Sequence, residues 1–563
     1  MAPRHESKQF DSAETSALLD RRVNSKSDLL LASYGSRGAL RDGPPPSLFS
    51  RRSIGLLAQF AGVGVVSGVL PGLIYPVLQG YLNAEGSTVV SATLLVQLPW
   101  SYKVFFGIAS DCFPIGGYRR RPYMLLGWVF CIGMLFYMAH LGVPKPYFGD
   151  PAMHFTNPID WTDAQKHLIN PHAPDAAGLY VVPMMLAAFG YLMAEVSADA
   201  MVVEYAQCEP IATRGQLQAG IHCARMACNA LGALIVAVSF NGVEYGGEFS
   251  FSITFPTMMF ILALGCMPLL PVTWFFLHEE RVESTPGFKE YMKGFWEVVQ
   301  QRGVYQVAAF KFFSGVFNNF NIVSTSSIKF HWVHATPFNS SVMAIVGTLV
   351  SALTLGITGK HGLQWNWRVS IAITVVAGVV IDCVMTMITT WDILRNQWFW
   401  LGVPIVGYVP DGVRFIVSNY VVIELIEAGH EGALYGLLTT TSNLANPFGR
   451  TASKLINANY RVWVEDIMED SYEVRRDVST TILICYGMKM VSLLFLPLLP
   501  CQKAETHVLK ATGGSSRVMG MFTVAYLSIA LVLSTLINLL SMIESSNAGR
   551  SQADVHRPES RRY

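Results

Sequence analysis

Long apolar runs separated by short polar loops recur along most of the chain. A membrane span needs roughly 20 apolar residues. Runs of that order fall near 54–78, 88–110, 122–141, 178–205, 216–240 and 254–277, and again near 304–325, 340–358, 368–390, 398–426, 432–456 and 479–499. This pattern predicts an all-α polytopic membrane protein with two six-helix bundles, 54–278 and 304–500, joined by a charged linker over 279–303. A loop over 501–518 leads to a thirteenth apolar run, 519–543. Its length fits a further span, but a crossing would put Arg550, Arg557, Arg561 and Arg562 outside, against the charge rule, whereas a surface helix would keep them inside. Its orientation therefore stays open.

The polar ends carry little that could form a core. Residues 1–53, rich in Ser, Arg and Gly and closing on Pro44, Pro45 and Pro46, are expected to be a disordered tail, as are residues 544–563. Within the first tail, Glu14-Thr-Ser-Ala-Leu18-Leu19 resembles an acidic dileucine sorting signal. The first apolar run starts only near Ile54, so no cleavable signal peptide is expected. In the linker, Phe288, Tyr291, Met292, Phe295 and Trp296 recur at helical spacing among Lys289, Glu290, Lys293 and Glu297. Two readings follow: a short helix on the membrane surface, or a solvated tether.

Charge orients the spans. Arg21, Arg22, Arg51 and Arg52, the triplet Arg119, Arg120 and Arg121, then Arg214, the linker, Lys503, Lys510 and Arg517 all fall on one side, which the positive-inside rule makes cytoplasmic. Segment 142–177 falls on the other side, together with the sequon Asn339-Ser-Ser, a candidate glycan site. The chain is 52% hydrophobic, 14% charged and near neutral at a formal +1, which excludes a global basic field for nucleic acid. The partners implied are lipid and a small-molecule solute, and nothing in the sequence sets an oligomeric state. Nine cysteines stand singly with no CxxC pair, so neither a structural disulfide, a metal site nor a cofactor is expected. The membrane itself is left as plasma membrane or endomembrane.

An ionisable side chain inside a bilayer costs at least about 2.5 kcal/mol and calls for a partner, a cavity or a function. Counting from the predicted ends puts Arg225 (span five), Lys311 (span seven), Asp382 (span nine), and Asp411 with Arg414 (span ten) near mid-membrane, and Glu195 nearer the cytoplasmic side. Glu195 and Asp199, four apart, share one face of span four. Either they are poised to carry a proton, or each pairs with a base such as Arg225 and braces the bundle. Asp411 and Arg414, beside Pro410 and Gly412, read either as a loosened point of span ten opening on a cavity or as a proline kink braced by their mutual ion pair. Spans four and ten echo each other: Gly190-Tyr191 with a later Glu204 resembles Gly407-Tyr408 with a later Glu424, a weak internal symmetry of the kind two-half transporters show. No GxxxxGK[ST], HExxH or GxSxG string occurs, so neither direct ATP drive nor an enzyme is expected.

Gly107-x-x-Ser-Asp111 followed by Gly117-Tyr-Arg-Arg-Arg resembles the loop signature that major facilitator transporters carry between their second and third helices. The fuller string, Pro99-Trp-Ser-Tyr-Lys to Gly117-Tyr-Arg-Arg-Arg-Pro, resembles the folate–biopterin transporter family. So do Asp199-Ala-Met-Val-Val-Glu-Tyr-Ala-Gln with Thr213-Arg-Gly-Gln-Leu-Gln, and Leu496-Pro-Leu-Leu-Pro-Cys-Gln-Lys-Ala-Glu-Thr with Gly513-Gly-Ser-Ser. The resemblance implies a major facilitator fold whose halves rock around a central site, with proton coupling assigned to Glu195, Asp199 and Asp382. It implies a cytoplasmic gate made by Asp111, Arg119, Glu204 and Arg214, to which Lys103 would snorkel. A folate- or pterin-like solute would need aromatic stacking for its ring and cations for its carboxylates, pointing to Lys311 within Phe310-Lys-Phe-Phe-Ser-Gly-Val-Phe317, to Arg225 and Arg414, and to Asp411 and Asn318. Asn318-Asn-Phe-Asn321 stands where many family members carry acids; amides can read a pterin edge but cannot carry a proton. The resemblance equally allows another organic solute, such as an S-adenosylmethionine-like compound. A non-transporting receptor on the same fold is the remaining alternative.

Overall fold

The computed structural model describes residues 38–154, 156, 161–282 and 286–555; the dileucine string, Arg21, Arg22, Arg557, Arg561 and Arg562 lie outside the described residues. Among these residues, eleven helices are long and apolar enough to cross a membrane. They are span one (Ile54–Tyr81), two (Thr88–Cys112), three (Arg121–Ala139), four (Pro174–Gln207), five (Gln216–Ser239), six (Phe255–Phe275), eight (Pro337–His361), nine (Trp367–Thr390), ten (Gln397–Leu425), twelve (Tyr472–Leu498) and thirteen, whose apolar part is Arg517–Ile537.

The two predicted spans missing from that set differ from expectation in separate ways. Span eleven is a continuous helix, Glu431–Asn457, but Thr439 to Asn443, Asn446 and Arg450 make it too polar to count as a lipid-facing span. Span seven is broken. It runs as an α-helix over Arg302–Ala309, widens to a π-helix over Phe310–Ser314, ends at Asn318 and resumes only at Thr325–Ser327 and Ile328–Trp332. The amides end it: Asn319 turns its Nδ2 back onto the Gly315 carbonyl at 2.8 Å, and the Asn321 backbone N–H donates to Ser453 Oγ at 3.0 Å instead of continuing the helix. Span ten, expected to loosen at Pro410, is uninterrupted over Gln397–Leu425. A proline removes one ladder hydrogen bond, a loss that a long packed helix can absorb.

Two apolar cores result. One fills the first bundle from Leu56 to Leu277. The second fills the other bundle but also takes in Cys112, Val203 and Ala219 of the first, so the halves share packing at the arginine-rich end. Spans two and eleven cross there at Gly107 and Gly432, where a Cβ on Gly107 would lie 2.1 Å from the Gly432 carbonyl oxygen. Only paired glycines allow that approach.

The linker folds as a helix, Phe288–Val299, with Tyr291, Phe295, Val298 and Val299 buried on its inner face. Span thirteen begins beside it, the Ser516 N–H donating to the Gln300 carbonyl at 3.0 Å. It then passes Phe312 of span seven at Tyr526 (ring centroids 5.2 Å apart) and meets Tyr102 of span two at Thr535 (2.9 Å between hydroxyls). Its direction is therefore away from the arginine-rich end.

Candidate transport site and inner gate

Asp111 closes the seam between the halves. Its Oδ1 accepts from Arg120 Nη1 at 2.5 Å and from the Gly432 N–H at 3.2 Å; its Oδ2 accepts from the Ala433 N–H at 2.8 Å and from the Tyr291 hydroxyl at 3.0 Å. A carboxylate on one half thus caps the helix N-terminus of the other, where the helix dipole favours negative charge. Arg120, 1% exposed, also reaches Glu204 at 3.0 Å and Glu431 at 3.2 Å. Its burial works against the charged form, but Asp111, Glu204 and Glu431 outweigh that and hold its pKa well above the ordinary arginine value.

Arg120 rather than Arg119, to which the resemblance pointed, therefore makes the contacts with Asp111, Glu204 and Glu431. Neighbouring arginines in a turn point in different directions, and here Glu279 fixes which one faces inward. Its carboxylate takes the backbone N–H groups of Arg119, Arg120 and Arg121 at 2.6, 2.7 and 2.9 Å, capping span three. Arg214 pairs with Glu424 across the seam at 2.8 Å, so Glu204 and Glu424, the echoing pair, each hold an arginine. Arg41 was not anticipated: its guanidinium bonds Glu431 and, at 2.7 Å, Gln207 Oε1. From the far end of the chain Lys503 donates to the carbonyls of Ile211 and Arg214, both at 2.9 Å. Glu209, in the loop between spans four and five, caps span five through the N–H groups of Gly215 (2.8 Å) and Leu217 (3.0 Å). Burial pushes its pKa up to about 7 despite those donors.

Beyond the gate lies a central cavity of about 270 Å³ between the bundles. Arg225, Lys311, Asn318, Asp411 and Arg414, separated widely in sequence, all line it, together with Glu195 and Asp199. On the first-half wall Lys103 sits 3.3 Å from Glu195 and 3.4 Å from Asp199, and Arg225 sits 3.3 Å from Glu195. Both cations lie over the Trp100 ring, at 4.5 and 5.0 Å from its centroid. Each carboxylate thus has a basic partner within ion-pair distance. Lys103 does not snorkel to the gate: nine residues of helix, about 13 Å, separate it from the end of span two, whereas two carboxylates lie in contact.

His222, 2% exposed, stands edge-on between Phe60 and Phe415 at 5.6 and 5.3 Å, with no hydrogen-bond partner on either ring nitrogen. On the second-half wall the charged neighbour of Lys311 is Arg414. Arg414 donates to Ser314 Oγ at 3.4 Å and leaves Nη1 buried without a hydrogen-bond partner. Asp411, exposed and lining the same cavity, makes no ion pair with Arg414 among the described residues. Of the phenylalanines around Lys311 only Phe310 lines the cavity; Phe312, Phe313 and Phe317 pack on Tyr526, Phe448 and Phe495.

Two further cavities adjoin. One of about 340 Å³ joins Asp382 and Lys489 to Asn318, Asp411 and Arg414, which separates Asp382 from Glu195 and Asp199. The other, about 500 Å³, shares Trp100, Arg225, Asn319, Ser442 and Asn443 with the central one and extends to Gln97, Asn446 and Arg450, away from the gate. Asn339 lies in the first turn of span eight, its Nδ2 donating to Gln397 at 3.0 Å, so the sequon asparagine is tied to a helix rather than displayed in an open loop. Among the described residues no group of His, Cys, Asp and Glu could hold a metal.

Two helical bundles meeting around a charged cavity, sealed at one end, define a major facilitator fold. A proton:xylose symporter of that superfamily, solved with a bromodeoxyglucose bound, superposes with a TM-score of 0.53 at 12% identity, over 81% of this chain and 98% of the symporter. The BT1 family model matches residues 63–146, which hold Asp111, the arginine triplet and Lys103. The folate-biopterin transporter of Synechocystis is 23% identical over 71% of this chain and 72% of its own length. Folate transporter 1 of Plasmodium falciparum is 35% identical over a shorter stretch, 16% of this chain and 17% of that protein. The chain is therefore similar to BT1-family and folate-biopterin transporters over the stretches given and shares the fold of the symporter, and its eleven membrane-length apolar helices make it an integral membrane protein.

Proposed function

We propose that this protein is a secondary active transporter that carries a folate- or pterin-like organic anion by alternating access, coupled to protons. The observation that carries the reading is the pairing of a seam closed by buried ion pairs with a charged cavity behind it. Asp111 (to the Gly432 and Ala433 N–H groups), Arg120 (to Glu431) and Arg214 (to Glu424) bind across the seam at one end, while the cavity lined by Arg225, Lys311 and Arg414 adjoins a chamber that extends toward the other. Rocking of the halves would break the Asp111 cap and the Arg120–Glu431 and Arg214–Glu424 pairs and open the site to the cytoplasm.

Charge balance supports the coupling. Lys103, Arg225, Glu195 and Asp199 form a buried set whose charges cancel. An anionic solute entering beside it adds uncompensated negative charge in a low-dielectric site, and a proton on one of the two carboxylates restores the balance. Lys311 and Arg414 are the cations left to hold the solute's carboxylate, and Phe310 and Phe415 offer faces for its ring.

The test is uptake of radiolabelled folate, biopterin and S-adenosylmethionine into cells expressing the chain, at external pH 5.5 and 7.5, with Arg414→Ala in parallel. Uptake of folate or biopterin that rises at the lower pH and is lost in the variant is the expected result. Selective uptake of S-adenosylmethionine, or of none of the three despite surface expression, overturns the assignment.

A further inference from the structure

The outer cavity has a composition of its own. Among the described residues lining it are two arginines, Arg225 and Arg450, and no Asp or Glu, whereas the central cavity carries Glu195, Asp199 and Asp411. Arg225 is already engaged by Glu195 at 3.3 Å. Arg450 is exposed, forms no ion pair among the described residues, and stands nineteen residues along span eleven from Glu431 at the gate. That is about 28 Å of helix, at the far end of the path.

The amides around Arg450 are oriented. Asn443 uses its Nδ2 on the Trp100 carbonyl at 2.9 Å, Asn229 uses its own on Ser67 Oγ at 3.1 Å, and Asn319 uses its own on the Gly315 carbonyl at 2.8 Å. Each amide keeps its oxygen as the acceptor available to a ligand. The chamber therefore offers one free cation and several hydrogen-bond acceptors, with space of about 500 Å³, enough for a drug-sized molecule.

We infer that this chamber is a separate outer binding station, in which Arg450 captures the carboxylate of an incoming solute while the amide oxygens of Asn229, Asn319 and Asn443 receive the N–H groups of its heterocycle. The solute class is an anion bearing a ring with N–H donors, and a permanently cationic solute is repelled. The inference rests on the transport reading for the passage inward, but the station's field is a property of the chamber alone. A low-dielectric cleft lined by one sign of charge concentrates ions of the other. From the station the anion passes to Lys311 and Arg414 through the residues the two cavities share.

The decisive experiment places a reporter thiol in the chamber, Ser442→Cys, and measures its modification in intact cells by the anionic sulfonatoethyl and the cationic trimethylammonioethyl methanethiosulfonates. The parent chain, with its nine native cysteines, supplies the background rate. Reversing the charge with Arg450→Glu should lower the anionic-to-cationic rate ratio by about tenfold, while Arg450→Lys should hold it near the parent value. A ratio that stays within about twofold in Arg450→Glu overturns the inference. In uptake assays Arg450→Glu should raise KM for the anionic solute about tenfold with little change in Vmax; an unchanged KM with normal surface expression also overturns it. If the parent chain carries no folate or biopterin, the functional reading fails, and the reagent ratio still decides the station.

Discussion

Asp111 and Ala433 sit on opposite halves of the molecule, yet the Ala433 backbone N–H donates to the Asp111 carboxylate at 2.8 Å, so one bundle ends the other's helix. In the proposed alternating-access cycle this bond would hold only while the seam between the halves is shut, so it should bias the balance between the two faces rather than the stability of either bundle.

Replacing Asp111 by Asn removes the charge that suits a helix N-terminus and breaks the pair with Arg120. The loss of a charged cap, about 1–2 kcal/mol, should shift the balance away from the closed gate about five- to thirtyfold. Cysteine reagents applied from the cytoplasmic side will label positions near Tyr291 faster, and uptake will slow with surface expression intact. An unchanged labelling rate would remove Asp111 from the gate.

The glycine crossing makes a sharper demand. In Gly107→Val the new Cβ would fall 2.1 Å from the Gly432 carbonyl oxygen, a distance that no side chain adjustment can relieve because the obstacle is backbone. The gate should be unable to close, abolishing uptake and slowing reagent access to the outer chamber, while the protein still inserts. Normal uptake in this variant would mean that spans two and eleven never come as close in the working cycle as they do here.

Lys103 holds two carboxylates, and its truncation separates stability from transport. Lys103→Met leaves Glu195 and Asp199 sharing Arg225 alone and should cost about 3–5 kcal/mol, read as a lower Tm in detergent. Adding Asp199→Asn should recover most of the lost Tm by restoring charge balance without recovering uptake. Recovery of both would show that the cluster only braces the bundle.

Glu209 supplies a pH signature outside the membrane spans. Its carboxyl titrates near 4.5 in the unfolded chain and at about 7 in the folded one, so the folded state holds the proton more tightly. Its contribution is therefore favourable below the unfolded value and is progressively lost as pH rises to about 7, by roughly 3 kcal/mol in all. Glu209→Gln keeps an acceptor for the Gly215 and Leu217 N–H groups and has no such titration. Its Tm should gain on the parent's between pH 4.5 and 7 and run parallel above that. Parallel curves across the whole range would show that Glu209 stays ionised.

Much of this architecture could be read from hydropathy, because burial in lipid and burial in protein both demand apolar runs of the same length. Span eleven was found that way even though Thr439 to Asn443 and Arg450 make it polar, since its register persists from Glu431 to Asn457. The break in span seven was not, because Phe310 to Phe317 is largely apolar and reads on as helix, and what accompanies its end is the Asn319 side chain turned back onto the Gly315 carbonyl and the Asn321 backbone N–H drawn to Ser453. Spacing could bring five cavity residues to mid-membrane without showing which cation faces which acid. Lys103 is the clearest case: its distance from the end of span two was countable, whereas the approach of span four, which captures it, is a property of packing. The choice of Arg120 over Arg119 depended on Glu279, about 160 residues away in the chain.

Span thirteen enters beside the linker helix and leaves beyond Thr535 at the opposite end. If span thirteen crosses the bilayer in the direction its contacts give, Gly38, held against Arg214, and the stretch just after Leu540 should face different compartments. Reporters spliced at those two positions would sense different solutions: a pH-sensitive fluorophore after residue 540 would be quenched by acidifying the medium or an organelle lumen, while its counterpart near residue 38 would follow the cytosol.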